Sequence, residues 1–252
     1  MNASSKERIK EQLLKVMDQK NHWAWRYFSG DQITRDQLKL HFRHEYAVYI
    51  RDFPVFLSRI HGKNPPMEVR QDLAANLYEE ETGGLTVGRS HPELFLYLME
   101  GLGFKREEFE NVPLLPASRR YRQWLDKITL SGSWLEAAAG TTIFVEGSVK
   151  DRQEIDASTF SGPTDVKQKI LDHPLVKYHK VDPMFLDLIR AHHTIEGSHR
   201  IAAWKMILNH ATTPSHQKKV RQVLEHSLKL WHAYRDGVAR ACKLSHPRRK
   251  MD

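Results

Sequence analysis

Apolar residues recur along this chain at intervals of three or four positions, which is the spacing of one face of an α-helix. No segment shows the strict alternation of apolar and polar residues that indicates a half-buried strand. The clearest helical face lies between Thr34 and Gly62 and consists of Leu38, Phe42, Tyr46, Ile50, Phe53 and Phe56. Thr34 and Gln37 have the form of a capping box, so we predict that a helix begins after Thr34.

Helix-start signals introduce several of the other periodic segments. They stand at Pro65-Pro66, at Ser90 and at Thr213-Pro214, and the last of these precedes a long apolar stripe at positions 220–234. Helical spacing also predicts helices at about residues 5–19, 134–151 and 182–209, whereas the polar segment 157–165 predicts a loop.

These elements predict a single all-α domain that covers residues 1–252. No shift in composition divides the chain, and no repeat indicates a solenoid. We expect a helical bundle of about eight or nine helices. Its N-terminal helix would lie within residues 1–20, and residues 244–252 would form a flexible basic tail.

The composition of the chain limits the possible compartments and partners of the protein. Of the 252 residues, 40% are hydrophobic, which is enough for a buried core, and no apolar run approaches the roughly 18–20 residues that span a bilayer. The single cysteine excludes an intrachain disulfide framework, and the first residues lack the apolar stretch of a signal peptide. We therefore expect a cytoplasmic protein with no membrane partner. The formal net charge is +8, but the basic residues accompany no nucleic-acid motif, so we expect no specific nucleic-acid partner.

The strongest chemical signal lies in the segment 192–199. His192, Glu196 and His199 are separated by four and then three residues, so on a helix they point to nearly the same side, within roughly 60°. Two imidazoles and a carboxylate in one small volume suit iron, manganese or zinc. The triplet therefore favours a metal site on this helix.

Further carboxylates and a histidine occur upstream. The third predicted helix ends in Glu79-Glu80-Glu81 and is followed by His91, while Glu146 comes directly after the apolar run 143–145. A buried carboxylate is costly unless it is paired or binds a metal. Di-metal proteins of the four-helix type bring such groups together on facing helices. At each single position a solvated side chain or an ordinary hydrogen bond is the alternative interpretation, and it is their joint occurrence that favours a metal site.

Two segments resemble a known protein family. Residues 76–83, followed by residues 90–95, are similar to the TenA/PqqC group, which has the heme-oxygenase-like fold. Within that group the chain most resembles the heme-oxygenase-like di-metal oxidases, the branch of the chlamydial protein associating with death domains. The resemblance covers about residues 20–235. It implies six metal ligands, which are Glu81, His91, Glu146, His192, Glu196 and His199.

The implied ligand set departs from the family pattern in three places. Glu80 competes with Glu81, and we prefer Glu81 because Glu81-Thr82-Gly83 matches the break that follows the ligand in the family. Glu196 stands where aspartate is more usual. The segment between Glu146 and His192 is longer than expected, with its extra residues at roughly 157–179.

The resemblance implies an iron-dependent oxidase or oxygenase. Six ligands of this kind suit two iron ions, with manganese as the alternative at one site, and leave positions for dioxygen as co-substrate. The implied substrate is a small organic molecule, such as an amine or an amino-acid-derived compound. Both metals need electrons, so an external reductant or reductase is a further implied partner. The long apolar stripe of the last helix makes a homodimer an additional expectation.

The candidate catalytic side chains are Tyr27 and Tyr46, because the early helices flank the core in this family. One branch of the family uses its own tyrosine as a substrate-like donor, and Tyr27 is the candidate for that role. Core packing is the alternative for both tyrosines and for Trp25. The nearby segment Arg43-His44-Glu45 is a candidate for binding a substrate carboxylate or a metal, with solvent exposure as the alternative.

Three other functions compete with the di-metal interpretation. A metal-free PqqC-like oxidase needs Arg, His and Tyr side chains around a polyanionic quinone, and Glu81 and Glu146 oppose this. A TenA-like hydrolase usually needs a nucleophilic cysteine, but Cys242 lies near the C-terminus. A non-catalytic interaction protein with a basic surface would not require six metal-type residues to converge.

Overall fold

The computed structural model describes residues 3–155 and 165–246, with the backbone alone described at 3–4 and 195–198. Over these residues the chain forms thirteen α-helices and no strand. The first seven helices are Ala3–Met17 (α1), Trp25–Phe28 (α2), Arg35–Glu45 (α3), Phe53–His61 (α4), Met67–Thr82 (α5), His91–Gly101 (α6) and Pro116–Ser131 (α7). The other six are Trp134–Ala138 (α8), Asp151–Glu154 (α9), Val166–Leu171 (α10), Pro174–Lys177 (α11), Asp187–His210 (α12) and Pro214–Ala241 (α13).

Two π-helical segments and two 3₁₀ turns are the other helical elements of the described residues. The π-helical segments are Tyr46–Ile50 (π1) and Ala139–Ile143 (π2), and the 3₁₀ turns are Arg106–Phe109 and Pro183–Phe185. The all-helical architecture confirms the predicted fold class. The helices outnumber the expected eight or nine because several of them have only four to six residues.

The long helix predicted after Thr34 is present but interrupted. The capping box is confirmed, since the Thr34 hydroxyl accepts from the Gln37 amide at 3.3 Å and the Thr34 amide donates to the Gln37 side chain at 2.8 Å. The helix widens into π1 and restarts at Phe53. The break falls just before Pro54, which has no amide hydrogen to donate to the preceding turn.

The apolar stripe of α13 is buried inside the chain itself. This helix packs along α7 and α1, and its residues Val220, Leu224, Trp231 and Tyr234 are buried. The stripe therefore forms mainly part of the core, and the homodimer stays a prediction that this stripe does not support.

Several predicted boundaries fall at the edges of the described structure. Asp165 ends the predicted polar loop and caps α10 by accepting from the Gln168 amide at 3.1 Å. The rest of that loop, at 157–164, and the end of the basic tail, at 247–252, lie outside the described residues. None of the described helices is long and apolar enough to cross a lipid bilayer.

Candidate metal centre

A cavity of about 190 Å³ lies where π1, the end of α5, the start of α6, the turn after π2 and α12 meet. Its polar lining consists of Glu80, His91, Glu146, His192, His199 and Arg200, and its other lining residues are Tyr49, Ile50, Phe53, Val145 and Leu188. Segments that are far apart in the sequence thus bring two carboxylates and three imidazoles to one cavity.

The turn between α5 and α6 determines where His91 lies. Gly83 ends α5 in the left-handed region at φ 60°, where a Cβ atom would lie 2.2 Å from the Arg89 carbonyl oxygen. The buried Glu79 carboxylate then organises the turn, because it accepts a hydrogen bond from the Leu85 amide at 2.7 Å and another from the Thr86 hydroxyl. This turn places the start of α6 beside the end of α5.

His91 consequently lies between two buried carboxylates. Its Nδ1 is 2.8 Å from Oε1 of Glu80, and its Nε2 is 3.4 Å from Oε1 of Glu79. Burial lowers the pKa of His91, but the two carboxylates outweigh burial and raise this pKa above its ordinary value. A metal-ligating histidine commonly has a carboxylate beside its other ring nitrogen, so the position of His91 between Glu79 and Glu80 fits that of a metal ligand.

Glu81 is exposed and does not line the cavity, whereas the preceding residue, Glu80, is buried and does. The preference for Glu81 as the ligand therefore has no support in the geometry. The reason is the rotation of α5, since neighbouring helical residues point about 100° apart. Asn76 lies four residues before Glu80, shares its side of the helix and is likewise buried.

Glu146 lies in the turn after π2, although the sequence predicted a continuous helix there. Its Oε1 accepts a hydrogen bond from Nδ2 of Asn76 at 3.0 Å. This hydrogen bond from α5 fixes the orientation of one oxygen of the Glu146 carboxylate. Single π-helical turns occur frequently at functional sites, and here the cavity is lined by residues of π1 and by the turn that follows π2.

His192 and His199 both lie on α12 and line the cavity, as their spacing predicted. The rings of His192 and His91 are 5.1 Å apart between centroids. Glu196 belongs to the same helix, but its side chain lies outside the described residues. Among the described side chains, no three potential ligands converge on a single point. The groups instead surround the cavity, and their chemistry of carboxylate and imidazole suits iron or manganese.

Neither tyrosine that was predicted to be catalytic lines this cavity. Tyr27 is half-buried, and its hydroxyl donates to the Ser245 carbonyl at 3.0 Å. Tyr46 is buried against Phe95, with ring centroids 5.4 Å apart. Tyr49, three residues further along π1, is the tyrosine at the cavity. The number of residues per turn in π1 determines that Tyr49 rather than Tyr46 faces the cavity. The apolar pattern of the sequence did not indicate a π-helical segment.

Tyr49 also borders a second cavity of about 320 Å³, whose lining includes Trp25, Lys20 and Arg235. The Tyr49 hydroxyl donates to Oε1 of Glu45 at 2.7 Å and accepts from Nη2 of Arg235 at 2.9 Å. Burial raises the pKa of Tyr49 well above its ordinary value. Glu45 also accepts a hydrogen bond from Arg235 and lines the second cavity rather than the first, so its candidacy as a metal ligand has no support in the geometry.

The comparisons with known proteins agree with this geometry. Residues 40–232 match a protein family that is described as iron-containing redox enzymes. The chain belongs to this family. A TenA homologue from Pseudomonas syringae has a similar structure, with a TM-score of 0.67 and 12% identity, and the match covers 93% of this chain and 92% of that one. The match confirms the predicted heme-oxygenase-like fold.

Relatives at the level of sequence share one name. The 4-aminobenzoate synthase of Nitrosomonas europaea is 24% identical over 225 residues, which are 85% of this chain and 82% of that protein. The 4-aminobenzoate synthase of Chlamydia trachomatis is 32% identical over 89 residues, which are 35% of this chain and 36% of that protein. These matches agree with the resemblance to the chlamydial branch of the family.

Proposed function

We propose that this chain is an oxygen-activating oxidase whose cavity binds two iron ions between carboxylate and imidazole ligands, with manganese as the alternative at one position. The observation that supports this most directly is the gathering of five groups of ligand type on one cavity, in a family of iron-containing redox enzymes. These groups are Glu80, His91, Glu146, His192 and His199. We include Glu196 as the sixth ligand on the basis of its spacing in the α12 triplet.

Bound iron would supply redox chemistry toward dioxygen, which carboxylates and imidazoles alone do not provide. The protein's own residues position the ligands and shield the site. Asn76 orients the Glu146 carboxylate through its 3.0 Å hydrogen bond, and Glu79 holds the turn that presents His91. The apolar side chains of Ile50, Phe53, Val145 and Leu188 line the rest of the cavity and would limit the access of water to bound metal.

We propose a small organic substrate that is an amine or is derived from an amino acid, together with an external reductant. The volume of about 190 Å³ is below the roughly 300–1,000 Å³ of pockets for drug-sized ligands, so it favours a substrate smaller than those. Because relatives are named 4-aminobenzoate synthase, formation of 4-aminobenzoate is the first reaction to assay with this chain.

A TenA-like hydrolase is less consistent with the geometry. Cys242 lines neither of the two cavities described above, and burial raises the pKa of its thiol to about 11. A cysteine with this pKa is almost entirely in the thiol form near neutral pH and is a poor nucleophile.

Metal loading of two neighbouring variants tests the proposal. The wild type, Glu80→Gln and Glu81→Gln would be loaded anaerobically with Fe(II), freed of unbound metal and analysed for iron per chain. We expect two ions in the wild type and in Glu81→Gln, because Glu81 is exposed. We expect a loss of at least one ion in Glu80→Gln, since an amide is a weaker ligand than a carboxylate.

The matched pair separates ligand loss from general damage, because both changes remove one negative charge from the same turn of α5. Binding of no metal by the wild type would overturn the proposed function. Loss of iron in Glu81→Gln with retention in Glu80→Gln would overturn the ligand assignment.

A further inference from the structure

In the turn that carries Glu146, the backbone carbonyl groups of the four consecutive residues 144–147 all accept hydrogen bonds from cationic side chains. The Lys20 ammonium donates to the carbonyl oxygens of Phe144 at 2.5 Å, Val145 at 3.1 Å and Gly147 at 2.5 Å. Arg200 donates through Nη2 to the remaining carbonyl, that of Glu146 itself. The last carbonyls of a helix have no partner within the helix, so external donors are needed here.

Lys20 reaches this turn from the segment that follows α1. Its Nζ lies 4.9 Å from the centre of the Phe144 ring, and its three carbonyl contacts account for all three donors of an ammonium group. Burial lowers the pKa of Lys20 to about 7, whereas the partial negative charge of the carbonyls at the end of a helical segment favours its ammonium form. Lys20 is thus fully engaged with the backbone on either side of Glu146.

Arg200 reaches the same turn from α12, directly after the candidate ligand His199. The Arg200 side chain is buried, and its Nε lies 3.6 Å from Oδ1 of Asp151. Asp151 is fully buried, and it accepts hydrogen bonds from the Ser148 amide at 2.7 Å and the Trp204 indole at 3.0 Å. The turn and α12 are therefore joined by a continuous polar network.

We propose that Lys20 and Arg200 are positioning residues for Glu146, which together hold the turn so that the Glu146 carboxylate faces the metal cavity. This inference rests on the proposed function for its metal readout. The two cations come from α12 and from the segment after α1, so the position of Glu146 depends on the packing of both. Outer contacts of this kind affect metal affinity because they fix the direction from which a ligand approaches.

The test compares Lys20→Met with Lys63→Met. Lys63 is a matched control, because its ammonium also donates to a carbonyl near a helix end, that of Leu130 in α7 at 2.9 Å, on residues that do not line the metal cavity. We expect Lys20→Met to weaken Fe(II) or Mn(II) binding about 10- to 100-fold in anaerobic titrations. Lys63→Met should bind metal as the wild type does.

Hydrogen exchange of the metal-free protein supplies a second readout. The amide of Gly147 donates to the Ile143 carbonyl at 2.8 Å, and it lies inside the turn that Lys20 holds. We expect faster exchange over residues 144–148 in Lys20→Met, with the pattern of the wild type kept in Lys63→Met. This measurement does not depend on bound metal.

Two further variants keep the test decisive if Lys20→Met fails to fold. Lys20→Arg retains donors for the carbonyls and should restore most of the metal affinity, while Arg200→Lys keeps the charge but shortens the reach to the Glu146 carbonyl. Metal affinity and exchange in Lys20→Met and Arg200→Lys equal to those of the wild type would overturn the inference and leave the proposed function standing. Absence of metal binding by the wild type would overturn the proposed function, and the exchange data would then decide the role of the two cations.

Discussion

Replacing Glu45 by glutamine removes the negative charge from a buried cluster next to the metal cavity. The Glu45 carboxylate accepts from Arg235 Nη2 at 2.5 Å and from the Tyr49 hydroxyl at 2.7 Å, and it lies 3.3 Å from Nε2 of His41. Its side chain is only 12% exposed. Glutamine has nearly the same shape, so the variant leaves the Arg235 guanidinium buried without its counter-charge.

The pKa of Glu45 allows the magnitude to be worked out. Burial alone would raise this pKa, but Arg235, His41 and the hydrogen bond from Tyr49 outweigh burial and lower the pKa from 4.5 to about 2. At about 1.4 kcal/mol per pKa unit, the charged carboxylate contributes about 3 kcal/mol to the free energy of unfolding. Removing one partner of a buried ion pair costs about 3–5 kcal/mol, so the two approaches agree.

Urea unfolding of the wild type and Glu45→Gln over a pH series measures this contribution. The pKa is lower in the folded state than in the unfolded chain, so the contribution is present above pH 4.5 and is lost as the pH falls toward 2. We expect the variant to be about 3 kcal/mol less stable at pH 7, and the deficit to shrink as the pH falls below about 4.5.

Glu108→Gln is the control, because Glu108 pairs with Lys39 at 2.8 Å and its side chain is 34% exposed, against 12% for that of Glu45. It should change the unfolding free energy far less than Glu45→Gln does, since water screens an exposed pair. A deficit below about 1 kcal/mol for Glu45→Gln at pH 7, or equal deficits in the two variants, would refute the reasoning.

Two further predictions concern the turn next to Glu146 and the response to acid. Gly147→Ala should destabilise the protein by about 1–3 kcal/mol in thermal unfolding, whereas Gly62→Ala should be nearly neutral. The reason is that a Cβ at Gly147 would lie 2.1 Å from the Ile143 carbonyl oxygen and 2.5 Å from Cε of Met17, while at Gly62 the nearest atom is 3.4 Å away. Burial lowers the pKa of His41 from 6.5 to about 4. The contribution of neutral His41 to the free energy of unfolding is therefore present above pH 6.5 and should be lost as the pH falls through 4. A His41→Gln variant whose stability falls equally steeply over this pH range would contradict the prediction.

The helical elements could be predicted well because their signals are local. The capping box at Thr34 and the contact of the Ser90 side chain at the start of α6 are each formed by residues three positions apart. The interruptions of these helices were harder to foresee. The break after π2 follows a segment of normal helical spacing, and it is stabilised by Lys20, which is 124 positions away from Phe144 in the sequence.

The candidate site likewise combines features that the local sequence indicates with features that depend on long-range packing. The chemistry of the ligands and the spacing of His192 and His199 are properties of the chain, and both histidines line the cavity as expected. The choice between Glu80 and Glu81 is not such a property, because both are glutamates and both lie on α5. It depends on how α5 is rotated against its neighbours, and only tertiary packing sets this rotation.

By itself, the sequence determined the all-helical class, the metal-type residues and the starts of several long helices, since these follow from the identity of residues that are close together in the chain. The tertiary structure alone decided that Glu80 and Tyr49 face the cavity, where Glu81, Tyr27 and Tyr46 had been expected. It also revealed the two cations that hold Glu146. The direction of each of these side chains depends on long-range packing and on the shifted register of a π-helical turn, and neither leaves a local pattern in the sequence.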